Sequence, residues 1–338
     1  MRFKKLVALL LVLAALAVAA LAKKTALDKE RRAETGEALK AETSLGAEIS
    51  PAFVSKLEIK RGVEGSESMT LVKDNDRWTI SSHYGTHARK EPVDELLKNL
   101  SAVRGEARSE NPSVLEDFSL TDAKAIHIRL LGAGDKELAH FLLSPLRPRG
   151  TQNFIRLAGS PKVLATTADV LATLNIFSKD DKLDYHGFAE FRVAGVESSK
   201  VNSFELDPPG GQKLSFIRKE EKDKPVSWTL SDDVTAAIDA QKVNEFLSSL
   251  YNLYAVDNVD PAAHAKDFQG EPWLRLYLKP GEKPETLEIR SAPRSEEKKT
   301  RLLQVTPEGL VYELSDAQTE TVLSKNREFF ITKAPASK

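Results

Sequence analysis

Cysteine is absent from the 338 residues. That excludes disulfides, thiolate metal sites, cysteine nucleophiles and a lipid-modified N-terminal cysteine. A charge surplus is lacking too, because 49 basic residues face 50 acidic ones for a net charge of −1. Nucleic acid would call for a basic surface, so a nucleic-acid partner is not expected. Catalytic signatures are missing as well. No GxSxG elbow occurs, no glycine-rich turn continues as GK[ST] or as GxGxxG into a helix, and no HExxH is present. What remains is a globular composition, 41% hydrophobic and 29% charged, long enough for about two domains.

The N-terminus carries the strongest signal. A basic tail, "MRFKK" (1–5), precedes "LVALLLVLAALAVAALA" (Leu6–Ala22), which has no polar residue. The run lies at the lower edge of the roughly 17–25 residues that span a bilayer as a helix. It exceeds the roughly 7–15 apolar residues of a cleavable signal, although Ala20-Leu21-Ala22 before Lys23 is a small-x-small site, so a cleaved signal is the other reading. The short basic tail favours export of the body to the periplasmic side of the inner membrane. Lys23, Lys24, Lys29, Arg31 and Arg32 on the opposite flank count against that orientation. Residues 23–52, charged and alanine-rich, read as a solvated juxtamembrane tether.

The body contains a repeat. "RWTIS" (Arg77–Ser81) returns as "SWTLS" (Ser227–Ser231), and without a gap Val93, Leu97 and Leu100 answer to Val243, Leu247 and Leu250. Alternating strands "KLEIK" and "MTLVK" precede the first tryptophan, and "NSFELD" and "KLSFIRK" the second. After each, apolar residues at helical spacing (Val93, Leu96, Leu97, Leu100 and Val103; Val243, Phe246, Leu247, Leu250 and Leu253) predict an amphipathic helix. Four strands and a short helix come next in both halves. The expectation is an α+β fold of two tandem similar domains, 53–192 and 193–332, each a mostly antiparallel sheet with packed amphipathic helices. An N-terminal transmembrane helix precedes them and a disordered tail, 333–338, ends the chain. Each tryptophan is expected to be buried beside its helix, as architecture and not chemistry.

This order of segments resembles the bacterial domain-of-unknown-function 4340 family: an N-terminal membrane segment, "SKLEIKR", "MTLVKDNDRWTIS", "VDELLKNLSAV", a block ending in "NFIRLAGSPKVLAT", and the same order again from Asn202 to Phe330. The resemblance implies an accessory role at the cell envelope, beside ABC-type export or gliding-motility components, with an integral-membrane protein as partner. It brings no catalytic, metal or cofactor residues, and none is assigned.

Several constellations have a bland reading beside a functional one. His83 and His87, four apart, could begin a zinc site but lack a third ligand, and read as exposed loop histidines. Asp180, Asp181, Asp184 and His186 form the densest carboxylate–histidine cluster, without EF-hand spacing, and read as a solvated linker. His127 falls on the polar face of an alternating strand and is expected in solvent. "GAGD" and "PPGG" read as hairpin turns. Function is therefore expected to be non-catalytic. The alternative is a periplasmic small-molecule or glycan binder using the cleft between the repeats, with Tyr251 or Tyr254 as exposed aromatics.

Overall fold

A computed structural model describes residues 42–62, 67–147, 153–166, 168–208 and 210–332. The run at 6–22, most of the expected tether and the tail at 333–338 lie outside the described residues. Among the described residues no helix is long and apolar enough to cross a membrane.

Two antiparallel sheets dominate. The first is built from β1 (Glu42–Glu48), β2 (Lys56–Arg61), β3 (Ser68–Asp74), β4 (Arg77–Ile80), β5 (Thr86–His87), β6 (Ala102–Ser109), β7 (Ile126–Leu131), β8 (Glu137–Leu143), β9 (Asn153–Leu157) and β10 (Val163–Thr166). Its strand order is β1-β6-β10-β9-β8-β7-β2-β3-β4-β5. The second is built from β11 (Val201–Leu206), β12 (Leu214–Lys219), β13 (Ser227–Leu230), β14 (Asp257–Val259), β15 (Leu274–Leu278), β16 (Thr286–Ser291), β17 (Thr300–Thr306) and β18 (Leu310–Ser315). Its order is β13-β12-β11-β15-β16-β17-β18-β14. Read from the other end, this is the run β6-β10-β9-β8-β7-β2-β3-β4 of the first sheet, strand for strand. The helices are few: α1 (Lys90–Ser101), α2 (Val170–Thr173), α3 (Ala240–Tyr251), α4 (Asp316–Leu323) and α5 (Arg327–Phe330).

The chain divides into two compact units. One holds the described residues up to Thr70 together with Lys90–Gly187, the other Leu71–Arg89 together with Phe188 onward, so the division passes through β3. These units are defined by proximity, whereas the expected domains 53–192 and 193–332 are defined by the repeat.

The repeated segment forms the same elements at the same positions. Trp78 and Trp228 lie on β4 and β13 and are both buried. On α1, Val93, Leu96, Leu97 and Leu100 are buried; on α3, Val243, Phe246, Leu247 and Leu250. Each such side chain contributes roughly 1.5–3 kcal/mol by leaving water. That exceeds what helix propensity offers a 12-residue segment. Asp239 caps α3 by accepting from the amides of Gln241 and Lys242, and Ser315 with Gln318 forms a capping box on α4. On the outward faces the two sheets carry matching ion pairs, Arg129–Glu58 at 2.7 Å and Arg275–Glu205 at 3.4 Å.

Three expectations need correction. The last part of the segment expected as tether is β1, paired antiparallel with β6, and Pro51–Phe53 form a 3-10 turn. Backbone pairing needs no apolar stripe, so a charged sequence does not betray it. The helices end at Ser101 and Tyr251, before Val103 and Leu253. Val103 continues straight into β6, a strand that helical spacing conceals. Within β6, Gly105 lies so close to β10 that a Cβ there would sit 2.3 Å from the carbonyl oxygen of Ala165. His127 is 5% exposed, not in solvent, because β7 is covered on both faces and strict alternation fails there.

Candidate functional site

The polar groups singled out in the sequence are committed to structure. His83 and His87 are both half-buried, so neither is the exposed loop residue expected. The His87 ring lies 3.2 Å from Arg77 Nη1 and 3.4 Å from Glu308 Oε1. Burial lowers its proton affinity, and Glu308 opposes that shift. In the aspartate cluster, Asp181 accepts the amides of Phe177 and Ser178 at 2.7 and 2.8 Å, which hold its carboxyl below the usual range. Asp184 accepts the amide of His186, and Arg61 donates to the carbonyls of Lys179 and Asp181. The connecting segment is thus pinned by the Arg61 fork and by turn-forming aspartates. Among the described residues, no group of three or more histidines and carboxylates is placed to hold a metal ion.

His127 and His140 meet at 2.9 Å, and the other His127 nitrogen lies 2.7 Å from the carbonyl of Asp122. Buried Arg156 closes this corner, donating to the carbonyl of Leu120 and to Asp122 at 2.8 Å each. Tyr254 is exposed, as expected, and Tyr251 is half-buried, but one face of each ring is taken by an arginine. The Arg192 guanidinium lies 4.5 and 5.2 Å from their ring centroids and bonds both hydroxyls.

The concave surface that sequence reasoning missed lies in the second unit. A cleft of about 560 Å³ is lined by Asp207, Lys266, Gln269, Trp273, Ser291 and Arg301, among others. A second hollow of about 340 Å³ shares Arg301 and is lined on its other side by Pro208, Gly210 and Gly211. Pro208, Gly210 and Gly211 of the "PPGG" segment therefore border a hollow, although nothing in its sequence requires that. Glu271 is paired with Arg275 at 2.7 Å, and Asp267 with His264 at 2.8 Å. Arg301 differs. Its Nη1 donates to the carbonyl of Ala292 at 3.2 Å and to Ser291 Oγ at 3.5 Å. Its charge acts on the Asp316 carboxylate, but that group pairs with Arg294 at 2.6 Å, and no carboxylate pairs with Arg301 among the described residues.

The match to the model of the family "Domain of unknown function (DUF4340)" covers residues 78–269, more than half of the chain. The chain belongs to the DUF4340 family. No curated protein and no solved structure matches it. The DUF4340 segment begins at Trp78 and contains Trp228, α1 and α3, the elements in which the repeat is clearest. It takes in Asp207, Lys266 and Gln269 of the cleft and ends before Trp273 and Arg301.

Proposed function

We propose that the protein is a non-catalytic, membrane-anchored module of the cell envelope. It acts as an accessory to an integral-membrane assembly of the ABC-transport or motility-associated kind, with its body outside the cytoplasmic membrane. The observation that carries this is the run Leu6–Ala22, without a polar residue and preceded by a basic tail. The shared strand order of the sheets supports a tandem duplication, and duplication of a packing unit enlarges a binding surface without creating reacting groups. Anchoring supplies the rest. A tethered body meets a membrane partner at high effective concentration, so weak contacts suffice.

Carbonate extraction and protease treatment of intact spheroplasts test this. The full-length chain stays in the membrane pellet, the body is cleaved from outside, and crosslinking in membranes captures an integral-membrane protein. Release into the carbonate supernatant, protection of the body in spheroplasts, or recovery only as a free monomer contradicts it.

A further inference from the structure

Corresponding positions of the two sheets can be counted outward through the paired strands. Leu57 faces Leu130 as Phe204 faces Leu276, which sets His127 on β7 against Trp273, the residue just before β15. Passing through β8 and β16, where Ile128 faces Phe141 and Leu274 faces Ile289, sets Asn153 on β9 against Arg301 on β17. In the first sheet both polar groups are satisfied within the protein. His127 bonds Asp122 and His140, and buried Asn153 accepts the amide of Leu171 at 2.9 Å, at the start of α2. In the second sheet neither is. Trp273 is 5% exposed and its Nε1, like Arg301 Nε, is buried with no hydrogen-bond partner. The next helix along the chain, α4, is capped by Ser315 and Gln318, so Arg301 is not needed for the role of Asn153.

An unpaired buried donor is costly, because it loses water and gains no partner. Trp228 Nε1 is buried without a partner as well, but Trp273 and Arg301 alone among these line one cleft, and that shared place points to an acceptor supplied from outside. A ligand pocket has roughly 300–1,000 Å³, and this cleft falls within that range at about 560 Å³. The charges on its wall select the acceptor. Arg301 presents the planar fork that matches a carboxylate. Asp267 and Glu271 are already paired, but with Asp207 their negative charge outweighs that of Lys266 and Arg301 on the same wall and opposes a dianion such as phosphate. Asp207 is exposed, its carboxylate has no hydrogen-bond or ion-pair partner among the described residues, and its backbone is fixed beside Trp273 by the bond from its amide to the Trp273 carbonyl at 2.8 Å. Its free carboxylate is open to a ligand's cationic group.

We propose that this cleft of the second unit binds a small zwitterion, an amino acid or short peptide, whose carboxylate engages Arg301 and the Trp273 indole N–H and whose ammonium group faces Asp207. This assignment goes beyond the accessory role and does not depend on membrane anchoring.

The test uses the full-length chain in detergent, with thermal shift and saturation-transfer NMR. The probes are L-alanyl-L-alanine, its N-acetylated form, its C-terminal amide and inorganic phosphate. The free dipeptide binds, and blocking either end weakens it about tenfold or more, as loss of a charged hydrogen bond does. Arg301→Gln abolishes binding of the dipeptide. Asp207→Asn, at an exposed position where folding is not at risk, removes the preference for the free over the acetylated form. Absence of dipeptide binding at about 10 mM overturns the proposal, since that marks an affinity too weak for a formed site. So does phosphate binding more tightly than the dipeptide, or unchanged discrimination in Asp207→Asn. Melting curves of Arg301→Gln separate lost binding from lost folding, and Asp207→Asn decides the matter if Arg301→Gln does not fold.

Discussion

Leucine in the first repeat and phenylalanine in the second occupy the same three places, two on strands and one on the helix. Leu57, Leu71 and Leu96 correspond to Phe204, Phe216 and Phe246, and all six are fully buried. In the second unit the rings form a cluster. Phe204 stacks on Phe216 at 4.5 Å and meets Phe246 at 5.6 Å and Trp228 at 5.5 Å, while Phe330 closes on Phe216 at 4.8 Å. One strand order is therefore compatible with an aliphatic or an aromatic filling. The pattern of buried positions sets the topology, and the choice of side chain sets the local volume and ring contacts.

The largest expected effect breaks both halves alike. Leu97→Asp and Leu247→Asp each place an unpaired carboxylate at a buried helix position, which costs on the order of 5 kcal/mol, comparable to the stability of a whole domain. Calorimetry is expected to show one transition lost or strongly lowered in each variant. A melting profile like that of the unaltered chain would mean the helix faces are not equivalent.

Exchanging the fillings sharpens the comparison. Phe204→Leu removes three ring pairs, each worth about 0.5–1.5 kcal/mol beyond its buried area. Leu57→Phe overfills a packed site and costs about 1–3 kcal/mol. Both are expected to lower the denaturant midpoint with an unchanged slope. If either is neutral, that filling is not specified by its surroundings.

The smallest effect lies in the first sheet, where His127 and His140 meet. Burial lowers the proton affinity of His140, and His127 adds to this. The unfolded chain therefore takes up a proton before the native one as pH falls through the ordinary histidine value of 6.5. Stability is expected to be greater above that value and to decline below it. His140→Gln is expected to reduce the fall in melting temperature between about pH 8 and about pH 5, leaving the part that His87, also lowered by burial, contributes. An equal decline in the variant would assign the effect to other groups.

Much of the packing is legible in the sequence. Trp78 and Trp228, with the apolar positions of α1 and α3, can be read because burial of large side chains leaves a periodic trace. The hairpins β7–β8 and β9–β10 show for the same reason. β1 does not, because its place depends on backbone pairing with β6 and on no apolar face. Val103 misleads, since a residue three beyond Leu100 fits helical spacing whether or not the chain remains helical. His127 requires knowing that both faces of β7 are covered. The cleft is illegible for a different reason. Trp273 precedes β15, Arg301 lies on β17, and the two conform to no motif. Their one trace is that the third tryptophan has no tryptophan partner in the first half, where His127 holds its position.

Hydrogen exchange on Leu247→Asp tests the central claim, that each sheet is held by its own apolar filling on one shared topology. Amides of β11 to β18 are expected to lose protection while those of β7 to β10 keep it. Loss of protection throughout both sheets, or its retention in both, would contradict the account.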